Sequence, residues 1–151
     1  MDNLFVRLQN QEISKVIIPT NVTPTQVLAV SLMRTAYFGL TNIIKSDSID
    51  QFKNDDSVII IDMGGGEYDS INNVRTREDG STMSAFGIIW NEMKEFYSEE
   101  MQQSFDDIFV KPAEEGNVIS MYVEKLLAAK SNMKLTYALN AVYRILKVWT
   151  L

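Results

Sequence analysis

Two aspartates, Asp62 and Asp69, bracket a run of three glycines, Gly64, Gly65 and Gly66. Asp62 directly follows Val58-Ile59-Ile60-Ile61, four β-branched residues in a row, which predicts a strand buried on both faces of a mainly parallel sheet. A carboxylate just past such a strand stands where open α/β sheets place their ligand crevice. The glycines let the backbone turn tightly or approach a ligand closely. Carboxylates in that setting could bind a hard cation such as Mg²⁺ through one or two ligands and several waters. The turn itself is the preferred role, Asp62 accepting from the amides of Gly64 to Gly66 and Asp69 starting a turn through Ser70, Asn72 and Asn73. The triplet is not a P-loop, because no lysine or Ser/Thr follows at the required spacing.

The composition narrows the chemistry further. The 151 residues contain no histidine and no cysteine. That removes the commonest metal ligand and neutral-pH acid-base group, together with thiolate sites and disulfides. Catalysis would have to rely on carboxylates, Lys, Tyr, Ser or Thr. A net charge of −6 and the lack of any basic run oppose a phosphate backbone as partner. No apolar stretch approaches the ~20 residues that span a bilayer. The amino terminus lacks the basic and apolar regions of a signal peptide. With 46% hydrophobic and 23% charged residues, the chain reads as one compact α/β domain over residues 1–151.

The elements that must position the aspartates follow from local patterns. Leu4 to Leu8 alternates weakly and predicts a short strand, and Lys15 to Ile18 a better one ended by Pro19. Thr23-Pro24-Thr25-Gln26 has the form of a capping box, predicting a helix from Pro24 to Phe38 closed by Gly39. Val27, Val30, Leu32, Met33 and Ala36 are its candidate buried residues. Thr41 to Ile44 reads as a strand, Ile49 to Phe52 as a short helix, and Val58 to Asp62 as the central strand. From Ser81 onward the pattern is helical: Ser84 to Tyr97, a segment capped by Ser98 that ends before Pro112, Asn117 to Ser131, and Leu135 to Val148. The last carries Leu135, Ala138, Leu139, Val142, Ile145 and Leu146 on one stripe. The expected fold is a small, mainly parallel sheet covered by helices, with a helix-rich second half.

Three stretches together resemble a known family. They are Asp62-Met63-Gly64-Gly65-Gly66-Glu67-Tyr68-Asp69, Arg77-Glu78-Asp79-Gly80, and Ser84-Ala85-Phe86-Gly87-Ile88-Ile89-Trp90. Combined with the helix Val27-Leu28-Ala29-Val30-Ser31-Leu32-Met33-Arg34, they look like the amino-terminal domain of the melanocyte-proliferating-gene family, within the DHH phosphoesterase superfamily. The likeness runs from about Ile17 to Trp90. It implies a fold in which a His-x-Asp-Asp/Glu element, an Asp-x-Gly-Gly strand end and an Asp-His-His motif hold two divalent cations, usually Mn²⁺. Those cations activate water for phosphodiester hydrolysis.

On this sequence the first element falls on Thr23, Pro24, Thr25 and Gln26, and Asp-His-His falls on Asp69, Ser70 and Ile71. Of the ligand set only Asp62 and Asp69 keep their carboxylates, so the resemblance implies no catalytic residue and makes Thr23, Thr25, Gln26, Asp62, Asp69, Ser70 and Ile71 vestigial positions. The expectation is a catalytically inactive phosphoesterase-like domain without cofactor, used as a protein-binding or assembly component or homo-oligomer. Such a stripped copy, ending at Leu151 where the family continues, would suit a phage protein, including a virion component, or otherwise a cytoplasmic one. The rival reading is a hydrolase with a reduced Mn²⁺ or Mg²⁺ site built from Asp62, Asp69, Glu67 and Asp79. A third is a nucleotide or nucleic-acid binder, which the acidic composition opposes. Glu99-Glu100 and Glu114-Glu115 read as solvated helix-start charges, and Met101, Met121 and Met133 as core or contact fillers. The apolar end Val148-Trp149-Thr150-Leu151 either packs on its own domain or meets a partner, through Trp149 and Leu151.

Overall fold

The computed structural model describes residues 3–129 and 134–150. Strands β1 (Lys15–Ile18), β2 (Ile43–Lys45) and β3 (Val58–Ile60) form a parallel sheet in the order β2-β1-β3. Val16 is paired with Ile43 on one side and with Ile59 on the other. The middle strand is completely buried at Val16, Ile17 and Ile18, as its aliphatic run requires.

Helix α2 (Pro24–Ala36) crosses from β1 to β2 and is packed against α3 (Ala85–Met93) and α7 (Lys134–Thr150). Every residue from Gln26 to Thr35 is buried. The expected one-sided helix is therefore enclosed all round, and Ala36 is only half-buried. Its start follows the capping-box pattern, with Gln26 Oε1 accepting from the Thr23 N–H at 3.0 Å. On α3, Phe86 meets Phe105 of α4 (Glu99–Phe105) edge-on with ring centroids 5.8 Å apart, and Trp90 packs on it at a tilt, 4.1 Å between centroids. On α7, the predicted stripe buries Ala138, Leu139, Val142 and Leu146. The mixed α/β class and the helix-rich second half are as the sequence predicts. Among the described residues, no helix is long and apolar enough to cross a membrane.

Several local expectations fail for identifiable reasons. Leu4–Gln9 is a helix, α1, because Asn3 Oδ1 caps the Phe5 N–H at 2.7 Å and Leu4 and Leu8 share its inner face. Ile49 to Phe52 forms turns and no helix. The β3 ladder ends at Ile60, since Asp62 takes φ +58° and its N–H turns to Tyr68 O at 3.1 Å. Pro112 does not end its segment. The chain passes from α4 through a five-residue π turn into α5 (Lys111–Glu114), where proline sits in the first turn and lacks only a donor that position does not need. Helix α6 spans Val118–Leu127 and is capped at Ala128, short of its predicted end at Ser131, which lies outside the described residues, as do Met133 and Leu151.

Candidate functional site

The sheet brings the end of β3 beside the start of α2, and this juxtaposition decides what Asp62 does. Gln26, 1% exposed, donates from Nε2 to Asp62 Oδ2 at 2.8 Å. The other carboxylate oxygen of Asp62 accepts from the Ser70 N–H at 2.7 Å and the Ser70 hydroxyl at 2.6 Å. Asp62 itself is 5% exposed. It therefore joins the helix start to the loop that follows β3, and its expected bonds to the glycine amides are not made.

Asp69 takes that role instead. Its Oδ2 accepts from the Gly65 N–H at 2.7 Å and from Asn72 Nδ2 at 2.9 Å. Its Oδ1 accepts from the N–H groups of Ile71 and Asn72, both at 2.9 Å. Gly65 reaches this bond with φ +75° and Gly64 with φ +79°, backbone shapes that favour glycine. Burial would raise the Asp69 pKa, but the Asn72 amide and side chain, with Gly65 and Ile71, outweigh it and hold the carboxyl below its ordinary value.

Of the seven positions that the resemblance singles out, Gln26, Asp62, Asp69 and Ser70 converge around the loop after β3. Thr23 and Thr25 stay at the helix start with their hydroxyls 3.5 Å apart. Ile71 contributes its N–H while its side chain is 60% exposed. Glu67 and Asp79, the extra carboxylates of the hydrolase reading, are both exposed. Asp79 caps its own turn through the Ser81 N–H and hydroxyl.

A carboxylate offers about four lone-pair directions. Asp62 uses three and Asp69 four on protein donors, and those donors are hydrogens that a cation would have to displace. Among the described residues no three Asp or Glu side chains gather as a metal-binding group. The residues present do not fit a pair of divalent cations. A groove of about 440 Å³ opens beside the loop, but its walls are Arg7, Phe52, Ile60, Gly64, Glu67 and neighbours, not the two aspartates.

A second network was missed by sequence reasoning. Glu114 pairs with Arg77 through both oxygens, Nη1 to Oε1 at 2.7 Å and Nη2 to Oε2 at 3.1 Å. The same Oε2 accepts from the N–H and hydroxyl of Ser84, each at 2.7 Å, and the Ser84 hydroxyl accepts from the Gly87 N–H to cap α3. Glu114 is thus a largely buried anchor, not a solvated charge. No local signal marks it, because Glu114 lies 37 positions from Arg77 and 30 from Ser84. Trp149 is 38% exposed and meets Phe109 edge-on at 5.6 Å. Phe109 lines an apolar groove of about 790 Å³ with Ile108, Val118, Met121, Tyr122 and Ile145.

Comparison with models of protein families, with curated proteins and with solved structures found no match.

Proposed function

We propose that this chain is a phosphoesterase-like domain that has given up metal-dependent hydrolysis and works as a protein-binding or assembly component. The observation that carries the reading is the state of Asp62 and Asp69: both carboxylates are committed to amide and hydroxyl donors. Gln26, in place of an acidic ligand, supplies one of those donors. A site that must bind cations keeps its oxygens free or lightly held; here they serve as internal fasteners of the loop after β3.

The protein-binding half of the reading draws on the groove bounded by α6. Val118 is 80%, Met121 53% and Ile108 45% exposed, and they adjoin one another across an apolar surface. Contiguous apolar surface of this kind marks an interaction site more often than solvated exterior. A virion or other assembled setting would give such a surface a use.

Titration calorimetry with Mn²⁺ and Mg²⁺, paired with light scattering on the eluting protein, tests both halves. The expected result is no stoichiometric cation binding and a mass above that of one chain, or retention of a protein partner. Tight stoichiometric Mn²⁺ binding with cleavage of short oligonucleotides would defeat the first half. A lone monomer with no associate would defeat the second.

A further inference from the structure

Strand β3 is an edge strand whose outer side has no partner among the described residues. In the order β2-β1-β3 it meets only β1. Ile60 is paired with Ile17, whose C=O reaches past it to accept from the Ile61 N–H at 2.9 Å. Successive residues of a strand send their main-chain groups to opposite sides, so Val58 and Ile60 turn theirs away from β1. Val58 spends its N–H on Asp55 O at 3.1 Å. Its C=O, with the N–H and C=O of Ile60, is left without a main-chain partner among the described residues.

A groove follows this open edge. The two faces of the sheet are told apart by what lies on them. Ile59 and Ile61 belong to the helix-covered core with Leu4, Leu8 and Tyr68. On the other face the Lys15 ammonium, from the residue paired with Val58, lies 5.6 Å from the Phe52 ring centre. The cavity of about 440 Å³ is lined by Arg7 and Tyr68 from the first side, by Phe52 from the second, and by Val58, Ile59 and Ile60 between them. A space that touches both faces and three consecutive strand residues runs along the edge of the strand. Ile60, the half-buried residue of β3, marks where it opens.

The rim selects the occupant. Asp55, Asp56 and Glu67 border the groove as exposed carboxylates. Its two cations are already engaged, Arg7 with Asp56 O and Lys53 with Asp50 at 3.3 Å. The groove therefore presents a negative field to whatever enters it. A second copy of this chain, itself of net charge −6, would bring the same carboxylates against these. We propose that the β3 edge takes an added strand from another protein, an extended segment bearing lysine or arginine. Main-chain bonds to Ile60 and to the Val58 C=O hold it, and its basic side chains lie among Asp55, Asp56 and Glu67. So short an edge makes few main-chain bonds, so the charge on the rim sets which segment binds. The proposal is independent of how the Asp62 site is read and of the groove bounded by α6.

The test uses the full chain and a short capped peptide alternating lysine and valine, followed by anisotropy of the labelled peptide and by the protein's amide resonances. Its controls are the same peptide with every backbone amide N-methylated, and one alternating glutamate and valine. The lysine peptide is expected to bind saturably, to shift the Ile60 amide and to slow its exchange with solvent. Ile61, already bonded to Ile17, is expected to keep its exchange rate. Both controls are expected to bind roughly tenfold more weakly or worse. Ile60→Pro removes a donor the fold does not use, at an edge position that tolerates proline, and is expected to weaken the lysine peptide roughly tenfold. Glu67→Lys is expected to weaken it several-fold and to flatten its salt dependence. The assignment is overturned by no saturable binding up to about 1 mM, by either control matching the lysine peptide, or by full affinity in Ile60→Pro. An Ile60 amide protected in the free chain in proportion to its concentration gives the edge to a second copy and overturns it too. If Ile60→Pro does not fold, the N-methylated peptide and Glu67→Lys decide, and undiminished affinity in either overturns the assignment.

Discussion

Gln26 Nε2 lies 2.8 Å from Asp62 Oδ2, donating to it across 36 positions of sequence, with both side chains almost fully removed from water. An uncharged amide is what allows this contact. Replacing Gln26 by Glu puts two carboxylates against each other in a dry setting, where only one can ionise comfortably. The Gln26→Glu protein is expected to be destabilised by about 2–4 kcal/mol at neutral pH and to recover as pH falls and a proton bridges the pair. Urea unfolding at neutral and mildly acidic pH measures this. Recovery on adding Mn²⁺ to Gln26→Glu, with none for wild type, is the expected outcome if the amide is what keeps cations out.

Asp69 provides a pH signature. Its native pKa lies below the ordinary value, so the folded protein releases this proton more readily than the unfolded chain. The resulting stabilisation is complete above the unfolded value of about 3.9 and is lost as pH falls through the lower native one. In Asp69→Asn, whichever oxygen becomes the amide nitrogen faces two donors, either Gly65 and Asn72 Nδ2 or the Ile71 and Asn72 amides. The substitution is expected to cost about 3 kcal/mol and to remove this component of acid unfolding. Denaturant titrations of both proteins across the acidic range provide the comparison.

The Arg77 and Glu114 pair should be sensitive to a change that touches neither residue. A Cβ added at Gly87 would stand 2.5 Å from Glu114 Oε2 and 2.8 Å from Arg77 Nη2. Gly87→Ala is expected to cost about 1–3 kcal/mol, despite the better helix propensity of alanine, because the fork must part. Glu114→Ala should cost about 2 kcal/mol by leaving the Ser84 N–H and Arg77 unanswered. If the clash acts through that fork, Gly87→Ala adds much less in the Glu114→Ala background, which a double-mutant cycle reads directly.

The apolar groove makes a prediction about association and not about folding. Val118 is 80% exposed, so Val118→Asp is expected to change stability by no more than about 0.5 kcal/mol. The same substitution places a charge on the rim of the groove and is expected to abolish self-association or partner retention. Light scattering and pull-down with the two proteins measure it. An unchanged mass or partner yield would remove this groove from the interaction.

Much of the framework was written locally. Val58 to Ile61 announced a strand because β-branched residues fit a pleated position, but it is not the central one: β3 lies at the edge of the sheet, β1 takes the middle, and Ile60 is only half-buried. Thr23 to Gln26 announced a helix start because the capping chemistry is complete within four residues. The α7 stripe announced its buried face by period alone. Leu4 to Leu8 misled because five residues carry too little periodicity to separate strand from helix, and the deciding Asn3 cap is one hydrogen bond.

The use made of each polar group was not legible in the same way. Sequence alone determined that histidine and cysteine chemistry is absent and that two aspartates flank a glycine turn. Only the tertiary structure decided that Gln26 closes Asp62, that Asp69 takes the Gly65 amide, that Glu114 reaches back 37 positions to Arg77, and that Arg34 donates to Asn140. The physical reason is that helix and strand formation depend on neighbours a few residues apart, whereas a buried carboxylate or guanidinium is satisfied by whichever donors or acceptors packing delivers to it.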